Sequence, residues 1–275
     1  MISISHTIAH KHRAWIAIVL LLVFSLLPIR SISAGETVYI AVASNFAGTL
    51  RSLLASFKPQ SPHEFKVSSA STGKLFAQIK HGAPFDIFLA ADAQRPGLLV
   101  ADGHAVAGSL FTYAVGRLVL WRRIATESTL EKSEILGLTI GRLTIANPKT
   151  APYGKAAEET LRALGLWRTW QPRLVWGENI GQAYQFVASG AVDSGFVALS
   201  QIFQRNRMSM GGKDDTRSKG EIRIVPSSLH TPLWQQAVLL NRGTNNAGAK
   251  DFMNFLRSRK ARQIIEAEGY EPPDS

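Results

Sequence analysis

The chain has 275 residues, no cysteine and a formal net charge of +11. The absence of cysteine excludes disulfides and thiolate chemistry. Its basic residues are scattered and do not form a stripe interleaved with aromatic side chains, so the sequence predicts no binding of nucleic acid.

The first 34 residues have the composition of an export signal. Lys11 and Arg13 precede the apolar run 14–27, which is short for a transmembrane helix, and small residues up to Ala34 offer a cleavage position there or one residue earlier. An uncleaved membrane anchor is the alternative interpretation. We expect a cleavable signal peptide at 1–34, a periplasmic location, and a mature chain of about 241 residues.

The mature chain begins with a strand that runs directly into a helix. Residues 38–42 are rich in β-favouring side chains, and apolar residues then recur with helical spacing over 46–57. Ser44 and Asn45 lie at the junction. One interpretation is a helix cap. The other is an anion site, because a helix N-terminus presents free N–H groups and a positive dipole end.

Alternation of strands and helices continues along the chain. Segments 64–70 and 86–91 read as strands separated by a helix, which predicts a parallel sheet with crossover connections. Two extended segments, 111–115 and 117–121, are separated by Gly116 and predict a crossing into a second domain.

The second half of the chain predicts a further α/β unit. Its predicted strands are 143–146, 174–176 and 194–199. The polar, glycine-rich stretch 205–219 predicts a surface loop, 237–240 predicts a strand that returns to the first domain, and 247–268 predicts one final helix.

Together these elements predict an α/β fold with two Rossmann-like lobes joined by two crossing segments. Lobe I comprises 35–115 and 235–275, and lobe II comprises 116–234. A cleft between two such lobes is a common location for a ligand.

Four strand-to-helix junctions carry small polar or glycine-rich residues, and in open α/β sheets ligands bind at this end of the strands. The junctions are Ala43-Ser44-Asn45, Ser71-Thr72-Gly73, Ala151-Pro152-Tyr153-Gly154 and Glu178-Asn179-Ile180-Gly181. Helix capping explains any one of them, but four junctions that face one cleft favour an anion site. A hydrolase that uses Ser44 or Ser71 is the weakest alternative, because no base or triad partner accompanies either serine. We therefore expect a binding protein and no enzyme.

Segments at these junctions and between them resemble the periplasmic molybdate-binding proteins of molybdate ABC transporters. In chain order they are AVASNF (41–46), SASTGKL (69–75), HGAPFDIFLAAD (81–92), GRLVLW (116–121), IANPKTAPYGKAAEE (145–159), GENIGQA (177–183) and GFVALSQ (195–201). They span essentially the whole mature chain.

The resemblance implies the type II periplasmic-binding-protein architecture. It also implies that the protein binds molybdate, and tungstate with it, as a monomer and delivers the ligand to a membrane ABC permease. No cofactor is expected. A receptor for another anion, such as sulfate, phosphonate or a small organic anion, is the alternative function.

The same resemblance implies which residues contact the ligand. The protein should hold only the oxygens of the oxyanion, with no direct bond from a side chain to the metal. The positions that match the family site are Ser44, Asn45, Ser71, Thr72, Tyr153 and Ile180. Either Ser71 or Thr72 is the main hydroxyl donor of the second junction, and Ile180 contributes its backbone N–H.

Overall fold

Two five-stranded sheets with interleaved helices form the fold. The computed structural model describes residues 35–123, 141–210 and 220–273. The predicted signal peptide at 1–34 lies outside these ranges. Within them, no helix is long and apolar enough to cross a membrane.

The strands and helices follow one another in an alternating order. The strands are β1 (Thr37–Ala43), β2 (Glu64–Ala70), β3 (Ile87–Ala90), β4 (Phe111–Gly116), β5 (Leu118–Arg122), β6 (Leu143–Ala146), β7 (Leu174–Gly177), β8 (Ser194–Ala198), β9 (Glu221–Ile224) and β10 (Leu233–Leu239). The α-helices are α1 (Ala47–Phe57), α2 (Thr72–Lys80), α3 (Gln94–Ala101), α4 (Pro152–Ala163), α5 (Trp167–Trp170), α6 (Ile180–Ala188), α7 (Leu199–Met210), α8 (Ala247–Leu256) and α9 (Arg259–Ala267). Short 3-10 turns are Lys58–Gln60, Gln171–Arg173, Ser227–Leu229 and Asn241–Asn245.

The two sheets share one plan. The first has the strand order β2-β1-β3-β10-β4 and the second β7-β6-β8-β5-β9. In each sheet three neighbouring strands are parallel, β1 with β2 and β3, and β6 with β7 and β8. The next strand, β10 or β5, is antiparallel to both of its neighbours. The two-lobe α/β fold expected from the sequence is confirmed, and both sheets are mixed.

The chain passes between the sheets twice. It leaves the first sheet at the end of β4, where only Arg117 separates β4 from β5, and it returns between β9 and β10. The lobe boundaries at 115/116 and 234/235 stay a prediction, because the strands define the two sheets and not the limits of rigid bodies.

The first sheet is covered by helices on both faces. Along β1, Val38, Ile40 and Val42 belong to one buried apolar cluster and Ala41 belongs to another. This alternation is the period of a strand, and coverage of both faces explains why the sequence of β1 is apolar throughout. The carboxyl end of β1 is thereby buried up to the junction with α1.

Two sequence predictions were wrong in their boundaries. The single helix predicted over 247–268 is two helices, because Ser258 starts a new one by accepting a hydrogen bond from the Ala261 N–H at 3.2 Å. The loop predicted over 205–219 begins later, since α7 continues to Met210. The rest of that loop, 211–219, lies outside the described residues.

Candidate functional site

The four predicted junctions meet at one small cavity between the two sheets. It offers about 10 Å³ of space for the centre of a water molecule, close to the minimum that one ordered water needs. Its lining residues are Ala43, Ser44, Asn45, Ser71, Thr72, Ala91, Ala151, Pro152, Tyr153 and Ile180. All six residues expected from the family resemblance are among them. Their contact with a ligand stays a prediction.

Two buried hydroxyl groups of this lining have no hydrogen-bond partner among the described residues, Ser71 Oγ and Tyr153 Oη. Ser71 occupies the N-cap position of α2, where a serine normally accepts a backbone hydrogen bond, yet its side chain makes none. A Cβ atom at Gly116 would lie 2.1 Å from Tyr153 Oη, so glycine makes room for this hydroxyl. Burial raises the pKa of Tyr153 well above its usual value. The hydroxyl therefore stays protonated and available as a donor.

The hydroxyl groups of Ser44 and Thr72 already accept hydrogen bonds. The Gly181 N–H donates to Ser44 Oγ at 3.2 Å, and the Ala91 N–H donates to Thr72 Oγ1 at 3.1 Å. Thr72 thus has a structural partner that Ser71 lacks. A hydroxyl that accepts a hydrogen bond can still donate its own hydrogen, so both residues stay candidates. We expect Ser71, whose hydroxyl has no other partner among the described residues, to be the main hydroxyl donor of the second junction.

The interpretation of Ser44 or Asn45 as a helix cap was wrong. The N-cap of α1 is Phe46, and no side chain caps this helix. The Asn45 side chain points to other partners, because its Nδ2 donates to Gln235 Oε1 at 2.8 Å and to Tyr270 Oη at 3.0 Å. A side-chain cap occurs at the fourth junction only, where Asn179 accepts from the Gln182 N–H at 3.0 Å.

Backbone N–H groups complete the donor set. Within the part of the chain that the structure describes, the N–H groups of Asn45, Thr72, Tyr153 and Ile180 make no hydrogen bond. The last three open helices α2, α4 and α6 near their first residues, where N–H groups have no intrahelical acceptor. The Ile180 side chain is buried in the apolar core of the second sheet, so its contribution to the cavity is the N–H.

The cavity has no charged lining residue. No cluster of three or more His, Cys, Asp or Glu side chains that could hold a metal ion occurs in the described ranges. Neutral hydroxyl and N–H donors at three helix N-termini suit an anion that accepts hydrogen bonds on several oxygens.

Contacts between elements of the two sheets close the cavity. The Gly73 N–H donates to the Thr150 carbonyl at 2.8 Å, and Lys74 Nζ lies 2.5 Å from Glu178 Oε2. Arg95 Nη2 donates to the Lys149 carbonyl at 3.3 Å. These contacts hold the junctions of the first sheet against those of the second.

Two residues that contact Asn45 from outside the cavity lining could not be predicted from the sequence. Gln235 and Tyr270 lie far along the chain, in β10 and after α9, and both bond to Asn45. Neither belongs to a strand-to-helix junction, and no local pattern marks them.

Comparison with known proteins gives the family. The sequence profile described as bacterial extracellular solute-binding protein matches residues 38–271. The chain belongs to this family.

Individual relatives agree with the match. The molybdate-binding protein ModA of Rhodobacter capsulatus is 41% identical over 238 residues, which cover 86% of this chain and 89% of that protein. ModA of Azotobacter vinelandii is 41% identical over 233 residues, 85% of this chain and 89% of that protein. The solved structure of the periplasmic molybdate-binding protein of Azotobacter vinelandii superimposes with a TM-score of 0.75 at 38% identity, and covers 86% of this chain and 99% of that one. The resemblance inferred from the sequence is confirmed.

Proposed function

We propose that this solute-binding protein captures molybdate, and tungstate with it, in the cavity between its sheets and delivers the oxyanion to a membrane ABC permease. We further propose that it acts in the periplasm as a monomer, after removal of a cleavable signal peptide. The observation that carries the proposal is the pair of buried, unpartnered hydroxyls, Ser71 Oγ and Tyr153 Oη, on an uncharged cavity lined by free N–H groups. Relatives at 41% identity that are named as molybdate-binding proteins support it.

The donors favour a fully ionised oxyanion. Each hydroxyl or N–H group carries a hydrogen that needs an acceptor. A protonated ligand oxygen would instead place its own O–H group against one of these donors. Molybdate and tungstate present four acceptor oxygens at neutral pH, whereas monohydrogen phosphate presents three. Charge-assisted hydrogen bonds contribute about 1.5–3 kcal/mol each, so several of them support tight binding after ordering costs.

The size of the cavity argues against an organic anion. With about 10 Å³ open to the centre of a water molecule, the lining must already separate slightly to admit a tetrahedral oxyanion. Sulfate has the same number of acceptor oxygens and is smaller than molybdate, so it must be distinguished by how well the donors match the spacing of its oxygens. A hydrolase is unsupported, because no His, Lys, Asp or Glu that could act as a base lines the cavity.

Calorimetric titration of the ligand-free protein with molybdate, tungstate, sulfate and phosphate tests the proposal. We expect binding heat with the first two and weak or no binding of the other two. Molybdate at a hundredfold excess over Kd should also raise the free energy of unfolding by about 2.7 kcal/mol. Absence of both effects with molybdate and tungstate would refute the function, and tight binding of sulfate alone would replace it with the alternative oxyanion.

A further inference from the structure

The turn between β1 and α1 is held by a buried network that extends from the ligand site to residues that do not line it. Asn45 lies at the centre of this network. Both hydrogens of its side-chain amide are donated, one to Gln235 Oε1 at 2.8 Å and one to Tyr270 Oη at 3.0 Å. Gln235 sits at a register shift of β10, between β10 and β4, and Tyr270 follows α9. Two distant parts of the chain therefore fix one side chain.

The backbone of Asn45 is held by the same network. Its carbonyl oxygen accepts a hydrogen bond from Tyr270 Oη at 3.0 Å and another from Ser200 Oγ at 3.2 Å. The Tyr270 hydroxyl thus accepts from the side chain of Asn45 and donates to its carbonyl. Ser200 comes from α7, which follows a strand of the second sheet. The same carbonyl is therefore held from both sides of the cleft.

One polar group of Asn45 stays available at the cavity. In the turn, the Ser44 N–H donates to the Ala70 carbonyl at 3.0 Å and the Phe46 N–H donates to the Ala43 carbonyl at 2.9 Å. The Asn45 N–H makes no hydrogen bond within the described residues, and Asn45 lines the cavity. The network thus engages the side-chain amide and the carbonyl, and leaves the N–H for a ligand.

The network is shielded from water. Gln235 is fully buried, and Ser200 and Tyr270 are 2% and 4% exposed. Burial raises the pKa of Tyr270, so its hydroxyl keeps the proton that it donates. In such surroundings hydrogen bonds are strong and their geometry is well defined.

We propose that Tyr270 and Gln235 are positioning residues for oxyanion binding, which orient Asn45 so that its backbone N–H is directed into the cavity. Ser200 completes this orientation from the second sheet, so the donor is fully aligned only when the lobes are in the arrangement described. The inference rests on the proposed function. A donor that is already aligned costs no reorganisation when the anion arrives, and this is how residues without ligand contact raise affinity.

The variant Tyr270→Phe tests the proposal, because it removes the hydroxyl and keeps the ring. We expect the Kd for molybdate to rise about tenfold, since two hydrogen bonds that orient Asn45 are lost. The amide resonance of Asn45 in a ¹⁵N–¹H spectrum should shift strongly when molybdate binds to the wild type and less in the variant. Tyr113→Phe is the matched control, because Tyr113 is 5% exposed in the same core cluster and its hydroxyl donates to the Ala90 carbonyl. It should keep the wild-type Kd.

A second variant distinguishes a loss of positioning from a folding defect. Ser200→Ala removes one small donor to the same carbonyl, and we expect a rise in Kd of about threefold with a reduced shift of the Asn45 amide. If both variants only lower the unfolding temperature, while Kd and the amide shift stay at wild-type values, the network is purely structural and the positioning role is refuted. If the wild type itself binds no molybdate, the proposed function fails and the inference fails with it. This result differs from the one in which the wild type binds and the variants bind equally well.

Discussion

A buried hydroxyl without a partner costs about 1–3 kcal/mol, and two residues that line the cavity carry one each. Ser71 follows β2 of the first sheet, and Tyr153 lies in α4, which follows β6 of the second sheet. Their neighbours Ser44 and Thr72 carry hydroxyls that already accept a backbone N–H. The unpartnered pair is therefore the part of the site that gains most from a ligand.

Substitution at the second junction separates ligand binding from stability. Ser71→Ala should weaken molybdate binding by about tenfold or more and leave the ligand-free protein at least as stable as the wild type, because the hydroxyl has no partner to lose and its burial is unfavourable. Thr72→Val leaves the Ala91 N–H without its acceptor and should lower the free energy of unfolding by about 1–3 kcal/mol. Titration calorimetry and denaturant unfolding of both variants give the two quantities. If Thr72→Val weakens molybdate binding more than Ser71→Ala does, Thr72 is the main hydroxyl donor.

The Tyr153 hydroxyl should make binding insensitive to moderately alkaline pH. An ordinary tyrosine ionises at about pH 10, and a phenolate would repel the oxyanion. Burial raises the pKa of Tyr153 well above that value, so the group stays a neutral donor. We expect a constant Kd for molybdate from about pH 7 to about pH 10, measured by calorimetry in buffers of equal ionic strength. Tyr153→Phe should bind more weakly with the same flat profile, and a wild-type Kd that rises below pH 10 would show that the hydroxyl ionises early.

At the scale of elements, the junctions could be predicted because their signals are local. Ser44 and Asn45 follow an apolar strand directly, and Pro152 and Tyr153 lie in a turn between an apolar strand and an alanine-rich helical stretch, so each junction is visible in a short window. The break at Ser258 was missed, because apolar residues continue with helical spacing on both sides of it. A capping serine inside a helical pattern is easily taken for a surface residue.

The remaining features depend on contacts between distant parts of the chain. Ser44 was a plausible cap by residue type, but the N-cap is Phe46 and the helix begins at Ala47. The Ser44 hydroxyl instead accepts a hydrogen bond from the Gly181 N–H. The antiparallel direction of β10 and the contact of Tyr270 with Asn45 follow from how the chain returns to the first sheet. Periodicity carries no information on such pairings.

Helix α2 meets the second sheet through a glycine, and this contact can be tested. A Cβ atom at Gly73 would lie 2.9 Å from the Thr150 carbonyl oxygen, which accepts the Gly73 N–H. Gly73→Ala should therefore keep the two sheets from closing fully around the cavity. We expect the Kd for molybdate to rise about fivefold, which corresponds to the loss of one hydrogen bond.

Gly97→Ala is the matched control for this helix contact. Gly97 lies in α3, and a Cβ atom there meets nothing within 4 Å. Alanine should keep the wild-type Kd and stabilise the protein by about 0.5–1 kcal/mol, because glycine is unfavourable inside a helix. Equal Kd values for the two variants would show that the close approach at Gly73 does not limit closure.

At the scale of the whole molecule, polar contacts join the two sheets around the cavity. The pair Lys74–Glu178 is exposed, and the hydrogen bonds from Gly73 and Arg95 go to backbone carbonyls. Exposed ion pairs contribute little, about 0–1 kcal/mol each. Closure is therefore only weakly favoured by these contacts. We expect an oxyanion bound to donors on both sheets to supply a large share of the energy that holds the sheets together.

Three buried tyrosines should make the protein sensitive to strongly alkaline pH. They are Tyr113, Tyr153 and Tyr270, and burial raises the pKa of each above its usual value. In the unfolded chain they ionise near about pH 10, so above that pH the unfolded state holds fewer protons than the folded state. The free energy of unfolding should be independent of these groups below about pH 9 and fall above about pH 10, by up to about 1.4 kcal/mol per pH unit for each tyrosine. Denaturant unfolding followed by circular dichroism measures this slope. Tyr113→Phe should reduce the slope by the contribution of one tyrosine. An unchanged slope in that variant would contradict the role of Tyr113 in the alkaline loss of stability.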